Sequence, residues 1–355
     1  SLAERRIVLK GVVAAYQVAQ TYHLDIIHTQ TEFGVGILGK LVARQLKIPV
    51  IHTLHTKYED YVHYIAKGKI LRPGMVKYII KSYLFGVDGI IVPSAIVLDT
   101  VNRYGVNLEK RVIPTGIELD KFLRPEISAA DCAELRTSLG ILPDETMLLS
   151  LSRIAEEKNI QSIIKSLVTV REQIKVKLVI VGSGPYEDKL KRLVKGLALD
   201  DIVIFTGLVD NSQTAYYYKA ADFFISASTS ETQGLTYIES LASGTPVLAT
   251  DNAYLKSLIT EPIFGRLFSG DDAIAATILD AITETPDFDQ THYDQKLYEI
   301  SAENFALRVY EFYLDKIISN DQYLAQKGES IPRRTARIVR QAPAKTVKTV
   351  VRTPK

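Results

Sequence analysis

SETQGLTYIESLASGTPVLAT, residues 230–250, follows the apolar run ADFFISAS (221–228) and decides how the chain is read. That run reads as a buried strand, so the motif starts at a strand's carboxyl end, where parallel α/β sheets bind ligands. Gly234 lets the backbone pass close to a ligand. From Leu235 onward the pattern is helical, and the first N–H groups of a helix lack intrahelical partners and favour phosphate. Glu231, on the loop, can accept hydrogen bonds from sugar hydroxyls. Glu239, about one turn into the helix, can reach a ribose hydroxyl. Two glutamates alone would more often be a loop acid and an exposed helix acid. The full string, closed by Gly244-Thr245-Pro246-Val247, favours a site.

A second segment, LSLSRIAEEKNI (149–160), places Arg153 and Lys158 just beyond another strand end. Alone they are ordinary surface cations. Beside the first segment they suit a diphosphate leaving group, whose charge grows as its bond breaks. Arginine also offers a fork matched to phosphate. A third segment, VGSGPYEDKL (181–190), sets Gly182 and Gly184 between strand and helix. It suits either a phosphate loop or a tight strand-to-helix turn. The spacing is not G-x-G-x-x-G and no P-loop lysine follows, which disfavours nicotinamide and P-loop ATP sites.

Working outward, strand-like runs alternate with helical runs throughout. LDIIHT (24–29), IPVIHTL (48–54), GVDGIIVPS (86–94) with Ser94 as a helix cap, and KRVIPTGI (110–117) form one series. ETMLLSLSR (145–153), KVKLVIVGSG (175–184), DDIVIFTG (200–207), ADFFISAS (221–228) and TPVLAT (245–250) form another. Buried β-rich runs separated by amphipathic helices predict parallel sheets covered on both faces. The expected fold class is α/β: two Rossmann-like doubly wound domains facing across a cleft, joined by the polar stretch 118–140. The expected boundaries are 1–124, 125–300, a closing amphipathic helix at 301–320, and a tail at 321–355. The first series opens on a helix, RRIVLKGVVAAYQVAQ, rather than on a strand and glycine turn.

Hydrophobic residues make up 46% and charged residues 24% of the 355, as in a soluble globular chain. No window reads as a transmembrane helix, and SLAERRIVLK does not read as a signal peptide. The one cysteine, Cys132, excludes an intramolecular disulfide and disfavours a cysteine zinc site. The net charge of +2 hides an asymmetry. Residues 332–355 hold eight Lys or Arg and no acid, leaving the rest of the chain acidic. Such a tail is expected to be disordered and drawn to an anionic surface, lipid or nucleic acid, or else to act as a solubilising terminus.

SRIAEEKNI, VGSGP, FTGLVD and SETQGLTYIESLASGTPV, in this order, resemble the retaining glycosyltransferases of family 4, which have the GT-B fold. The resemblance runs over nearly all of 24–318. It implies transfer of a sugar from a nucleotide-diphosphate donor with no cofactor and no required metal. It implies that Arg153 and Lys158 hold the diphosphate, Glu231 contacts the donor sugar and Glu239 the ribose. Gln233, Gly234, Leu235 and Thr236 would present backbone groups to sugar and phosphate, and Leu208 and Val209 would lie near the base. Gly182 and Gly184 complete the donor-binding set.

IPVIHTLHTKYEDYVHYIAKG, RPGMVKYIIKSYLFGVDGIIVPS and RVIPTGIELDKF resemble bacterial diacylglycerol glucosyltransferases of Gram-positive type. That implies UDP-glucose as donor, diacylglycerol as acceptor, and a cytoplasmic enzyme peripheral on the inner face of the cell membrane, with no nucleic acid partner. His55 would be the histidine near donor sugar and acceptor, ahead of His52 and His63. The stretch 57–83 interleaves aromatic and basic residues, including Tyr58, Tyr61, Lys67, Lys69, Arg72, Lys77 and Lys81, which suits an anionic interface. It equally suits a helix burying one side in the domain. With no evident nucleophile, retention implies front-face attack in which the protein orients groups and stabilises charge. The resemblance also implies a further strand and glycine-bearing loop ahead of this chain's start, without which a sheet edge is exposed. Two other readings remain: sugar transfer to another glycolipid or to a cell-envelope precursor, and a non-catalytic nucleotide-sugar or membrane-binding protein.

Overall fold

The computed structural model describes residues 11–55, 73–284 and 286–331. They form two compact units. Unit 1 holds the residues up to Pro93, Val97–Ile113 and those from Leu307 onward; unit 2 holds Ser94–Ile96 and Pro114–Ala306. The chain therefore divides at Ile113 and Pro114, earlier than the expected 124. The expected linker is not a linker. Asp120–Leu123 and Ala129–Ser138 are helices of unit 2, the second started by a Ser128–Asp131 capping box. The expected closing helix at 301–320 is longer, Ala302–Gln326, and from Leu307 it belongs to unit 1.

Unit 1 is built on a parallel sheet of β1 (Ile27–Thr29), β2 (Val50–Thr53), β3 (Gly89–Val92) and β4 (Lys110–Val112), in the order β1-β2-β3-β4. Val50, Ile51, Ile90, Ile91 and Val92 are buried, as continuous apolar runs in a covered parallel sheet must be. Helices Gly34–Leu46 and Pro73–Leu84 follow β1 and β2. Gly89 lets the long C-terminal helix approach, because a Cβ there would lie 2.5 Å from the Phe312 ring.

Unit 2 is built on β5 (Thr146–Leu151), β6 (Val176–Val181), β7 (Val203–Gly207), β8 (Phe223–Ser226), β9 (Val247–Thr250) and β10 (Gly265–Phe268), all parallel. Their order is β10-β9-β8-β5-β6-β7. The edge strand β10 is the one strand among the described residues that the sequence pattern does not announce, being only GRLF with Arg266 in its middle. Leu148 and Ile180 face one apolar cluster while Met147, Leu149 and Val179 face another, so helices cover both sides of the sheet. The chain winds outward from β5 to β7, then returns to lay β8 on the other side of β5. That reversal makes the carboxyl ends of β5 and β8 a topological switch point, where open α/β sheets bind ligands.

Candidate functional site

The switch point gathers the residues that the two strongest motifs supply. After β5 come Arg153 and the short turn of helix Glu156–Lys158; after β8 comes the loop carrying Glu231. Lys158 Nζ is bonded to Glu231 Oε1, and both side chains are about four-fifths buried. Arg153 pairs with Glu157 four residues on. Each cation thus already meets a carboxylate, one pair spanning the switch point and the other lying within one turn.

The loop beyond Glu231 is tied down by its own unit. The Gln233 amide clamps the Thr115 backbone, accepting from its N–H at 2.8 Å and donating to its carbonyl at 2.8 Å. Ser94, directly ahead of helix Ala95–Arg103 as expected of a cap, donates its hydroxyl to the Thr232 carbonyl at 2.5 Å. Gly234 sits at φ +77°, and a Cβ there would lie 2.4 Å from the Tyr237 ring. Helix Leu235–Ala242 starts there, with no side-chain cap and no acid in its first turn. Its leading N–H groups, including those of Leu235 and Thr236, present a positive end free of a built-in anion.

Glu239 lies further along that helix, with Oε2 accepting from the Tyr218 hydroxyl at 3.0 Å. Burial raises its carboxyl above the usual range, and the Tyr218 bond acts in the opposite direction. Tyr218 is fully buried, edge-on to Phe224 and Phe122. The sequence did not single it out, because a tyrosine in a helical YYYKA run carries no motif.

Gly182 and Gly184 are explained by backbone packing. A Cβ at either would lie about 2 Å from a carbonyl oxygen, of Ser152 and Ile154 respectively. The loops after β5 and β6 lie side by side, with Ile154 N bonded to Ser183 O at 3.0 Å. The tight turn is therefore present, and it holds the Arg153 loop in place. Leu208 is 79% exposed, an apolar side chain left in solvent beside the partly buried Val209.

Unit 1 places a different set of groups at the carboxyl ends of β1 and β2. His52 is fully buried; its Nδ1 meets Thr29 Oγ1 at 2.8 Å and its Nε2 meets Glu32 Oε1 at 3.2 Å. The Thr29 hydroxyl also donates to the Ile51 carbonyl at 3.2 Å. His28 bonds the Tyr313 hydroxyl at 2.7 Å and the Thr53 hydroxyl at 2.6 Å. Burial, with the charges of His52 and His55, lowers its pKa to about 4. His55 lies just past β2, exposed, with Nε2 2.5 Å from Gln30 Oε1, and desolvation lowers its pKa. The paired strings IIHT and VIHT are the signal that could have found the buried histidines.

The helix Pro73–Leu84 divides its apolar residues. Ile80, Tyr83 and Leu84 are buried; Met75, Tyr78 and Ile79 are exposed beside Lys77 and Lys81. An open groove of about 1090 Å³ runs past Phe33, Ile37, Leu41, Tyr78 and Ile79, with Arg44 among its polar lining. Tyr58, Tyr61, His63, Lys67, Lys69 and Arg72 lie outside the described residues, as does the basic tail. No helix among the described residues is long and apolar enough to cross a membrane.

The fold has solved counterparts. A sucrose-phosphate synthase from Thermosynechococcus elongatus matches with a TM-score of 0.69 at 24% identity, over 87% of this chain and 78% of that one. A glycosyltransferase from Rickettsia africae matches with a TM-score of 0.73 at 17% identity, over 88% and 83%. Two Rossmann-like parallel-sheet units with these counterparts define the GT-B fold of the glycosyltransferases. Residues 1–121 match the model named Glycosyltransferase Family 4, and residues 131–296 match Glycosyl transferases group 1. An alpha-monoglucosyldiacylglycerol synthase of Streptococcus pneumoniae is 56% identical over 97% of this chain and 78% of its own length. One of the same name from Acholeplasma laidlawii is 31% identical over 86% and 78%. This chain is a glycosyltransferase and belongs to family 4.

Proposed function

We propose that the protein transfers glucose from UDP-glucose to the free hydroxyl of diacylglycerol, with retention, at an anionic membrane surface. The observation that carries this is the meeting of Lys158 and Glu231 at the β5/β8 switch point, one helix start away from Glu239. Arg153 and Lys158 hold the diphosphate, the first turn of Leu235–Ala242 adds N–H groups, and Glu239 takes the ribose. The exposed Leu208 offers a face for the base. Glu231 accepts from the glucose hydroxyls.

In the transfer step the bond from glucose C1 to the β-phosphate oxygen breaks. A bond from C1 to the acceptor oxygen forms on the same face, and the acceptor proton passes to the departing phosphate. The two cations stabilise the charge that collects there. No metal is invoked, and His55 is assigned to the acceptor side of the reaction. The names of the two synthases support diacylglycerol and an alpha-linked product. The groove in unit 1 and the exposed Tyr78 and Ile79 beside Lys77 and Lys81 fit a lipid acceptor at an anionic interface.

The test is incubation of the protein with labelled UDP-glucose and dioleoylglycerol in vesicles with and without phosphatidylglycerol, in EDTA. The expected product is an alpha-glucosyl lipid, identified by its anomeric proton coupling, and more of it on the anionic vesicles. Binding of UDP-glucose without glycolipid, or a beta product, overturns the proposal.

A further inference from the structure

The ion pair between Lys158 and Glu231 has a consequence for product release that depends on reading unit 2 as a UDP-sugar site. Without ligand, the cation that would hold the diphosphate holds the carboxylate that would hold the sugar. The two residues come from separate loops, and their side chains are 19% and 21% exposed. Neither charge is well hydrated, so each depends on its partner. UDP-glucose can satisfy both at once: its diphosphate takes Lys158 while its glucose hydroxyls donate to Glu231. UDP alone can satisfy only one. Its diphosphate would take Lys158 and strand Glu231 beside an anion with no donor in return.

We infer that Glu231 acts as a release lever, reclaiming Lys158 once glucose has left and so weakening UDP relative to UDP-glucose. The second pair supplies an internal control. Arg153 and Glu157 are also bonded, but within one loop at a spacing of four residues, and Glu157 has no assigned sugar contact. Breaking that pair should therefore shift UDP and UDP-glucose by the same factor.

The experiment is calorimetric titration of the full chain with UDP and with UDP-glucose, for the parent, Glu231→Gln, Glu157→Gln, Lys158→Gln and Glu239→Gln. Glutamine keeps the shape and removes the charge. Glu231→Gln is expected to bind UDP about 10-fold tighter, about 1.4 kcal/mol, and UDP-glucose no tighter than the parent does. Glu157→Gln is expected to leave the ratio of the two affinities unchanged. If Glu231→Gln leaves UDP binding unchanged or weaker, or tightens both ligands equally, while Lys158→Gln weakens UDP, the lever is wrong and the site stands. If Lys158→Gln and Glu239→Gln both leave UDP binding unchanged, the reading of the site fails, and the lever with it.

Discussion

Units 1 and 2 are made from the same part, a parallel strand followed by a helix, yet they bury the polar residues at their strand ends to different depths. In unit 1, Thr29, Glu32, His52 and Thr53 are buried and bonded to one another or to His28. In unit 2, Arg153, Lys158, Glu231 and Glu239 remain partly open to solvent. The strand orders of the two units also differ. Among the described residues, β1 to β4 follow one another across their sheet and open no crevice between neighbours. In unit 2, β8 returns beside β5, and the loops diverge where the winding reverses. A strand's carboxyl end is thus not enough to make a site. The groups there must also stay partly open to solvent, as those of unit 2 do.

The largest effect that would test this contrast lies in unit 2. Lys158→Ala and Glu231→Ala are each expected to lower turnover at least ~100-fold, the scale of one lost electrostatic contact to the reacting group. His52→Ala, in the buried set of unit 1, is expected to act mainly through stability and to lower the midpoint of thermal unfolding. Near-normal turnover in either unit 2 variant, measured by glycolipid formed per minute, would remove the distinction.

A smaller effect is expected from acid on unit 1. His28 has its pKa lowered to about 4 by burial, then by His52 and His55. The unfolded chain therefore binds a proton near pH 6.5 that the folded chain refuses until about pH 4. The stabilising effect of keeping this ring neutral is complete above pH 6.5 and is lost as pH falls through that window, on the order of 2 kcal/mol after allowance for partial exposure. Urea unfolding of the parent and of His28→Asn at stepped pH checks it. The variant should show a flatter fall in stability between those limits, and parallel curves would contradict the assignment.

The readability of the two units from sequence follows the same division. All nine strand-like runs that stand out as apolar stretches form strands, because burial on both faces demands such runs. GRLF of β10 escapes because Gly265 and Arg266 leave it only two consecutive apolar residues. Glu231 and Glu239 were visible because Gly234 and the following helix leave a local trace. Tyr218 and Thr115, which hold Glu239 and Gln233, were not, because the fold brings them in from distant positions and no spacing encodes that contact. Stretch 118–140 looked like a linker because its helices are short and polar, although a Ser128–Asp131 capping box marks one start.

The smallest effect reaches the donor site through a residue that touches no ligand in the proposed arrangement. Burial holds the Glu239 carboxyl above its usual range, and the Tyr218 hydroxyl, 3.0 Å away, pulls it back down. Tyr218→Phe keeps the ring between Phe122 and Phe224 and removes only that bond. Glu239 should then titrate higher still. Its ionised form, proposed to accept from the ribose, would be lost at a higher pH as acid is added. UDP affinity should fall about 3- to 10-fold at neutral pH, the scale of one ordinary hydrogen bond, with a steeper loss toward acid than in the parent. A purely structural role would lower the unfolding midpoint and leave the pH dependence of UDP binding where it was. In that event Tyr218 packs the core and does not tune the acid, and the polar network behind the unit 2 site would be as inert toward ligand as the one buried in unit 1.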